Sequence, residues 1–322
     1  MRKSIFTLIV GLIVIGCNTE IKNSDATVLV EEGTEVEANV PVPEQNNEKV
    51  SKPIEVDSMS DNSVLGYWVG YFEQDGGDEM LVVDDGYYWN KNNKINISID
   101  KITDSLVVGH SVVAGNDRPF KGTIKESQDG TLNFVVREPG DDKYDGEFRF
   151  SIADNEMVGK WTAYGDINIK NRKYTLEKKV YHYDPDIMLD RSKAYVDWTK
   201  AIEHEEEWEI EEGEVEKWIS KEFASATDQI YHINASNTPL AKSQVENLKK
   251  GDLTIIRNTI YARHGYSFKN QPLRVFFDAQ DWYIPVHNNI KDEFTDLEKQ
   301  NIELLLKYEK NALEYYDRFG RG

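Results

Sequence analysis

From about residue 65 to residue 179 the chain alternates. The runs LGYWVGYF, KINISIDKI, SLVVGHSVV, RPFKGTIK, TLNFVVRE, GEFRFSI, MVGKWTAY and INIKNRKYTLEKK are short and rich in β-branched and aromatic residues. Many of them place apolar side chains at every second position, the period of a strand with one buried face. Asp85-Gly86, Thr103-Asp104, Gly115-Asn116-Asp117, Asp129-Gly130 and Asp154-Asn155 separate them, residues suited to tight turns. Many strands with no helical pattern between them predict an antiparallel sheet. An open sheet of this size would leave long unpaired edges, so the pattern predicts a closed barrel over residues 63–182.

Beyond Pro185 the period changes to mixed three and four spacings, which predicts a helical connecting region over 187–247. Its acidic stretch EHEEEWEIEEGEVE reads as a solvated helix or as a loop broken at Gly213. A helix start is predicted near Ser243 and a bend at Gly251. A second helix follows from Asp252, as N-cap, to His264, with Gly265 as the left-handed residue that ends it. On that helix Leu253, Ile256 and Ile260 form an apolar stripe, with Arg257, Tyr261 and His264 aligned along its edge. PLRVFFDAQ predicts a short helix and DWYIP an aromatic turn. The final long helix opens on a capping box of Thr295 and Glu298. The fold class is therefore α+β, an antiparallel β-barrel followed by a mostly helical C-terminal part. The change of pattern at YHYDPD predicts two halves that fold separately.

The N-terminus reads differently. Met1-Arg2-Lys3 is a short basic region, the apolar run from Ile5 to Ile15 is too brief for a good membrane span, and Gly16 precedes Cys17; this is the pattern of an export signal over residues 1–17. The stretch VIGC resembles the lipobox of bacterial lipoproteins, which implies cleavage before Cys17 and its acylation, with the membrane as partner through that anchor. Residues 18–62 are acidic and contain no aromatic side chain, a composition expected to form an extended tether.

Composition narrows the function. The formal net charge is −20, which argues against nucleic acid as a partner, because phosphate contacts need clustered Lys and Arg. Cys17 is the single cysteine, leaving none for a disulfide or a thiolate metal site. No metal-ligand set and no cofactor motif is legible. Trp68, Trp89, Trp161 and Tyr164 are the side chains expected to line or plug the barrel. Asp141, Asp142 and Asp145 share one loop, but their spacing lacks the final glutamate of a calcium loop. His204 with its neighbouring glutamates reads as part of a solvated face.

The run from about Leu248 to Glu309 is similar to the YARHG domain, a small extracytoplasmic bacterial module, with the five naming residues unchanged at 261–265 and Phe268, Trp282, Tyr283 and Pro285 following in order. The resemblance implies a module over 248–322 and an envelope location, with the outer membrane as the expected site of anchoring; it implies no reaction. The barrel opening GYWVGYF is similar to the Gly-x-Trp start of lipocalin-like barrels. Within the module, Arg257, Tyr261, Arg263, His264, Trp282 and Tyr283 are the candidate ligand-binding residues: a titratable imidazole, anion-binding guanidinium groups and stacking rings. The competing reading makes them structural, with Gly265 ending the helix and an arginine paired to Asp278, Asp281 or Asp296. Arg257 is expected to be the buried staple and His264 to stay reachable by solvent. No nucleophile or second carboxylate completes a catalytic set. The sequence thus points to a lipid-anchored envelope protein with a binding or interaction role toward an envelope polymer or protein. An enzyme acting on envelope polysaccharide or peptidoglycan is the second reading, and a purely structural assembly lipoprotein is the third.

Overall fold

The computed structural model describes residues 64–76, 80–83, 87–90, 92–211 and 214–312. Cys17, the 18–62 segment and the Asp85-Gly86 turn lie outside the described residues. Eight strands close an antiparallel barrel: β1 (Gly66–Gln74), β4 (Asn93–Thr103), β5 (Leu106–Val113), β6 (Asn116–Glu126), β7 (Leu132–Arg137), β8 (Gly146–Ala153), β9 (Glu156–Ala163) and β10 (Asn171–Lys179). A small hairpin, β2 (Met80–Val83) with β3 (Tyr87–Asn90), falls between β1 and β4 in the chain. β1 pairs with β4 on one side and β10 on the other, so the barrel closes without an edge. The turns carry the strain expected of two-residue hairpins: Asp154 and Asn155 both have positive φ, at 49° and 62°, as a type I′ turn requires.

Alternation decides what fills the barrel. Trp68, Phe72, Ile95, Ile97, Ile99, Phe134, Phe148, Trp161 and Tyr174 all point into one buried core. The rings of Phe72, Phe148, Trp161 and Tyr174 pack against one another at centroid distances of 5.5–6.4 Å. The indole N–H of Trp68 donates to the Val64 carbonyl and that of Trp161 to the buried Glu138. Both tryptophans are thus structural fill with satisfied polar ends. Tyr164, expected to line the barrel, is 47% exposed. It lies one residue past the end of β9, and its parity is opposite to that of the inward Trp161 and Ala163. The side chain of Trp89 lies outside those described. In the acidic loop, the Asp145 carboxylate accepts the backbone N–H groups of Gly140, Asp141 and Asp142 and a guanidinium N–H of Arg118, so it closes the loop on itself.

The region expected to be helical over 187–247 contains instead the longest strands among the described residues, β11 (Val196–Glu211) and β12 (Glu214–Ser225), paired antiparallel. The reason is electrostatic. In a helix, Glu203, Glu206 and Glu207, and Glu205 and Glu209, would stack like charges at three and four residue spacings. In the ribbon the same residues face partners across the strands. Lys217 bonds Glu205 and Glu207 at 2.8 and 2.6 Å, and His204 meets Glu222 at 3.1 Å.

The helical part follows as α1 (Lys242–Val245), α2 (Lys250–Arg263), α3 (Gln271–Asp278) and α4 (Asp296–Glu309). α2 starts three residues earlier than expected, with Lys249 and not Asp252 as its N-cap, and Gly251 lies within it rather than at a bend. Asp252 is the third helical residue, and its carboxylate accepts the backbone N–H groups of Lys249 and Thr227. A side chain at Gly251 would put its Cβ 2.3 Å from the Ser225 carbonyl oxygen, so the root of the ribbon rests on the first turn of α2. Leu253, Ile256 and Ile260 are buried as predicted, but so are Ile255, Asn258 and Thr259. α2 is therefore the central helix of the core, packed against α4 and the segments that carry Ile230 and Val245.

The two halves share an interface. Tyr67 and Val69 on the outer face of β1 pack against Ile284 and Val286. Lys94 of β4 donates its backbone N–H to Asp278 at 2.8 Å and its ammonium to the Gln280 and Tyr283 carbonyls at 2.8 and 3.1 Å. Gly115, in the β5–β6 turn, donates to Ser267, and Tyr71 donates to the Asp278 carbonyl. The YHYDPD segment, where the two halves were expected to part, is fastened at both tyrosines, Tyr181 to the Arg263 carbonyl and Tyr183 to Glu298.

Candidate functional site

The Tyr-Ala-Arg-His-Gly run occupies the last turn of α2. Gly265 has φ of +70° and lies against Val286 and Tyr181 at 3.0–3.2 Å from where a Cβ would be; both conformation and space demand glycine there. Its carbonyl accepts the N–H groups of Val286 and His287, which ties the helix end to the segment that meets the barrel.

Arg263 is 3% exposed. Its Nε and Nη2 donate to the Ile187 carbonyl at 3.0 and 2.7 Å, and its Nη1 to the Ser236 hydroxyl at 3.0 Å. Burial lowers its pKa to about 10, which leaves the guanidinium charged at neutral pH. Its planar fork holds two chain segments, one before and one after the ribbon.

His264 was expected to face solvent and is instead 6% exposed. Its Nε2 lies 2.8 Å from Glu298 Oε2, its ring stacks on Tyr183 at 4.3 Å, and Phe294 meets it edge-on. Glu298, fully buried, also accepts the Tyr183 hydroxyl and the Thr295 backbone N–H. Burial acts to raise the Glu298 carboxyl, but the hydrogen bonds from His264 and Thr295 outweigh it and hold the pKa below its ordinary value. The capping box of Thr295 and Glu298 is thus also the anchor for the histidine. The sequence signals the cap; it gives no sign that the same carboxylate reaches His264.

Arg257, expected to be the buried staple, is more exposed than either Arg263 or His264. Its guanidinium forms a bidentate pair with Glu309, at 2.8 and 3.0 Å, rather than with Asp278, Asp281 or Asp296. Glu309 stands at the end of α4, which runs alongside α2. Asp278 is committed to the barrel lysine. Tyr261 stacks on Phe294 at 5.1 Å. Tyr283 is buried, and its hydroxyl donates to the Tyr266 carbonyl at 2.7 Å. Trp282 is half-buried, and its Nε1 has no acceptor among the described residues.

The six candidates therefore do not converge on one cavity. Arg263 and Trp282 line a crevice of about 230 Å³ with Lys179, His182, Asp184 and Asp281. That volume is below the roughly 300 Å³ at which ligand pockets usually begin. His264 and Tyr261 belong to a ring cluster around Phe294, Arg257 lies over the Tyr261 ring at 5.5 Å, and Tyr283 faces other elements.

Comparison with known families identifies one segment of this part of the chain. Residues 229–310 match the YARHG domain. The YARHG domain starts nearly twenty residues before the stretch whose resemblance is visible by eye, and the structure explains why. Ile230, Ala235 and Val245 share one core with α2, α3 and α4, so the segment after the ribbon belongs to the YARHG domain and not to a connector. The YARHG domain is typical of extracellular and envelope proteins. No helix among the described residues is long and apolar enough to cross a membrane. Neither the curated proteins nor the solved structures contain a match to the chain.

Proposed function

We propose that this chain is a lipid-anchored envelope interaction protein, held in the outer membrane through Cys17 and spaced from it by the acidic 18–62 segment. The barrel and YARHG domain serve as a platform, and the ribbon of β11 and β12 is the part that meets a partner. The observation that carries this reading is the exposure of Trp208 and Trp218, at 63% and 49%, on that ribbon. Large apolar side chains on a protruding surface mark interaction sites. The signature arginine and histidine of the YARHG domain support an interaction role over an enzymatic one, because their polar atoms are bonded to groups of the protein itself.

The test is photo-crosslinking of the full chain in its native envelope, with a photoactivatable residue at position 218 or at Leu106, an exposed barrel position. The reading predicts a discrete adduct from 218 and none from 106. Equal labelling from both, or none from 218, would overturn it. Fractionation of a Cys17→Ala variant tests the anchor; the protein should leave the membrane pellet.

A further inference from the structure

The ribbon has two unlike faces. Cross-strand partners lie on the same side of an antiparallel pair, so the pairs Ile202 with Glu222, His204 with Ser220, Glu206 with Trp218 and Trp208 with Glu216 share one face. The other face holds Glu203 with Lys221, Glu205 with Ile219 and Glu207 with Lys217. At these pairs the lysines fall on the second face, where Lys217 is bonded to two glutamates. The tryptophan face carries Glu206, Glu216 and Glu222 and no lysine or arginine at these pairs.

Over residues 196–225 the sequence holds eleven acidic and three basic residues, so a short segment carries a large part of the chain's net charge of −20. Solubility of a free-standing ribbon explains charge on its surface, and a cross-strand tryptophan pair explains part of its stability. Neither explains why Glu216 and Glu222, which lie across from Trp208 and Ile202 and not from a lysine, share a face with exposed indoles. The two rings are nearly parallel, 19° apart, with centroids separated by 6.5 Å. The Trp218 ring is fixed in place by its N–H bond to Glu206 at 2.9 Å. A separation of 6.5 Å is close to the roughly 6.6 Å between alternate residues of an extended chain. Aromatic faces attract ammonium and guanidinium groups within about 6 Å, and adjacent carboxylates add charge complementarity.

We infer that the tryptophan face of the ribbon docks an extended segment of a partner polypeptide with Lys or Arg at alternate positions, each cation seated on an indole and beside a glutamate. This inference rests on the interaction role proposed above and names the chemistry of the partner.

The experiment is titration calorimetry of the full chain with an alternating Arg-Val octapeptide and with its Glu-Val counterpart. The Arg-Val peptide should bind with an affinity that falls steeply with salt, and the Glu-Val peptide should not bind. The Trp208→Ala, Trp218→Ala double variant should weaken Arg-Val binding at least tenfold. A Glu216→Gln, Glu222→Gln variant should weaken it less and flatten its salt dependence. Equal binding of both peptides would overturn the inference. So would unchanged affinity in the alanine variant with the ribbon still formed by circular dichroism. Where that variant loses the ribbon, Trp208→Phe, Trp218→Phe decides: weaker binding with a folded ribbon supports the inference, and unchanged affinity overturns it. An adduct from position 218 to a partner without a Lys- or Arg-rich segment would overturn this inference and leave the interaction role standing. Absence of any adduct from 218 would remove both.

Discussion

His264 Nε2 lies 2.8 Å from Glu298 Oε2, and Tyr183 serves both residues, stacked on the imidazole and hydrogen-bonded to the carboxylate. Three segments meet there: the end of α2, the start of α4 and the strap that leaves the barrel. Removal of the imidazole leaves a buried carboxylate one donor short, which costs about 1–3 kcal/mol. His264→Ala should therefore lower the denaturation midpoint at pH 7. Because the folded Glu298 pKa is depressed, its contribution is present above the ordinary carboxyl range and is lost as pH falls through it. The difference between wild type and Glu298→Gln should shrink at acid pH, as followed by urea denaturation.

Asp278 gives the opposite sign. Burial raises its pKa from 3.8 to about 7, so the unfolded chain ionises first as pH rises. Stability should fall between about pH 4 and 7 from this group and level off above that, by up to about 4 kcal/mol for a shift of this size. Asp278→Asn keeps an acceptor for the Lys94 backbone N–H and removes the titration. Its melting temperature should gain on wild type as pH rises through that window, with a constant difference across it as the contrary result.

Gly251 tests how the ribbon is mounted. A Cβ 2.3 Å from the Ser225 carbonyl cannot be accommodated unless α2 or the end of β12 shifts, at a cost of roughly 1–3 kcal/mol. Gly251→Ala should lower the melting temperature and raise amide exchange at Ala224 and Ser225, read by hydrogen exchange; protection equal to wild type there would contradict the packing described.

The barrel was legible because its alternation is strict and its turns carry Asp, Asn and Gly where positive φ is needed, as at Asp154-Asn155. The module was legible for a different reason, since five consecutive residues of the chain spell its signature. The ribbon was not, because a run of glutamates broken by single tryptophans has no clear period. Its strand form depends on partners such as Lys217 and Ser220, a dozen or more residues away. The site was half legible. Gly265 and the Thr295 capping box follow from local chemistry, whereas the pairings of Arg257 with Glu309 and of His264 with Glu298 span 52 and 34 residues and arise only when α4 packs against α2. The interface at Lys94 had no signal, because a lysine in a strand reads as exposed until another domain covers it.

The central claim is that the YARHG signature fastens the fold and leaves the ribbon to meet the partner, and the melting temperature of Arg263→Ala tests it most directly. Loss of this guanidinium strips donors from the Ile187 carbonyl and the Ser236 hydroxyl. At about 1–3 kcal/mol for such buried groups, the melting temperature should drop by roughly 2–12 °C for a body of this size. A variant that melts with wild type while losing its crosslinked partner would contradict the account and make Arg263 a ligand-binding residue.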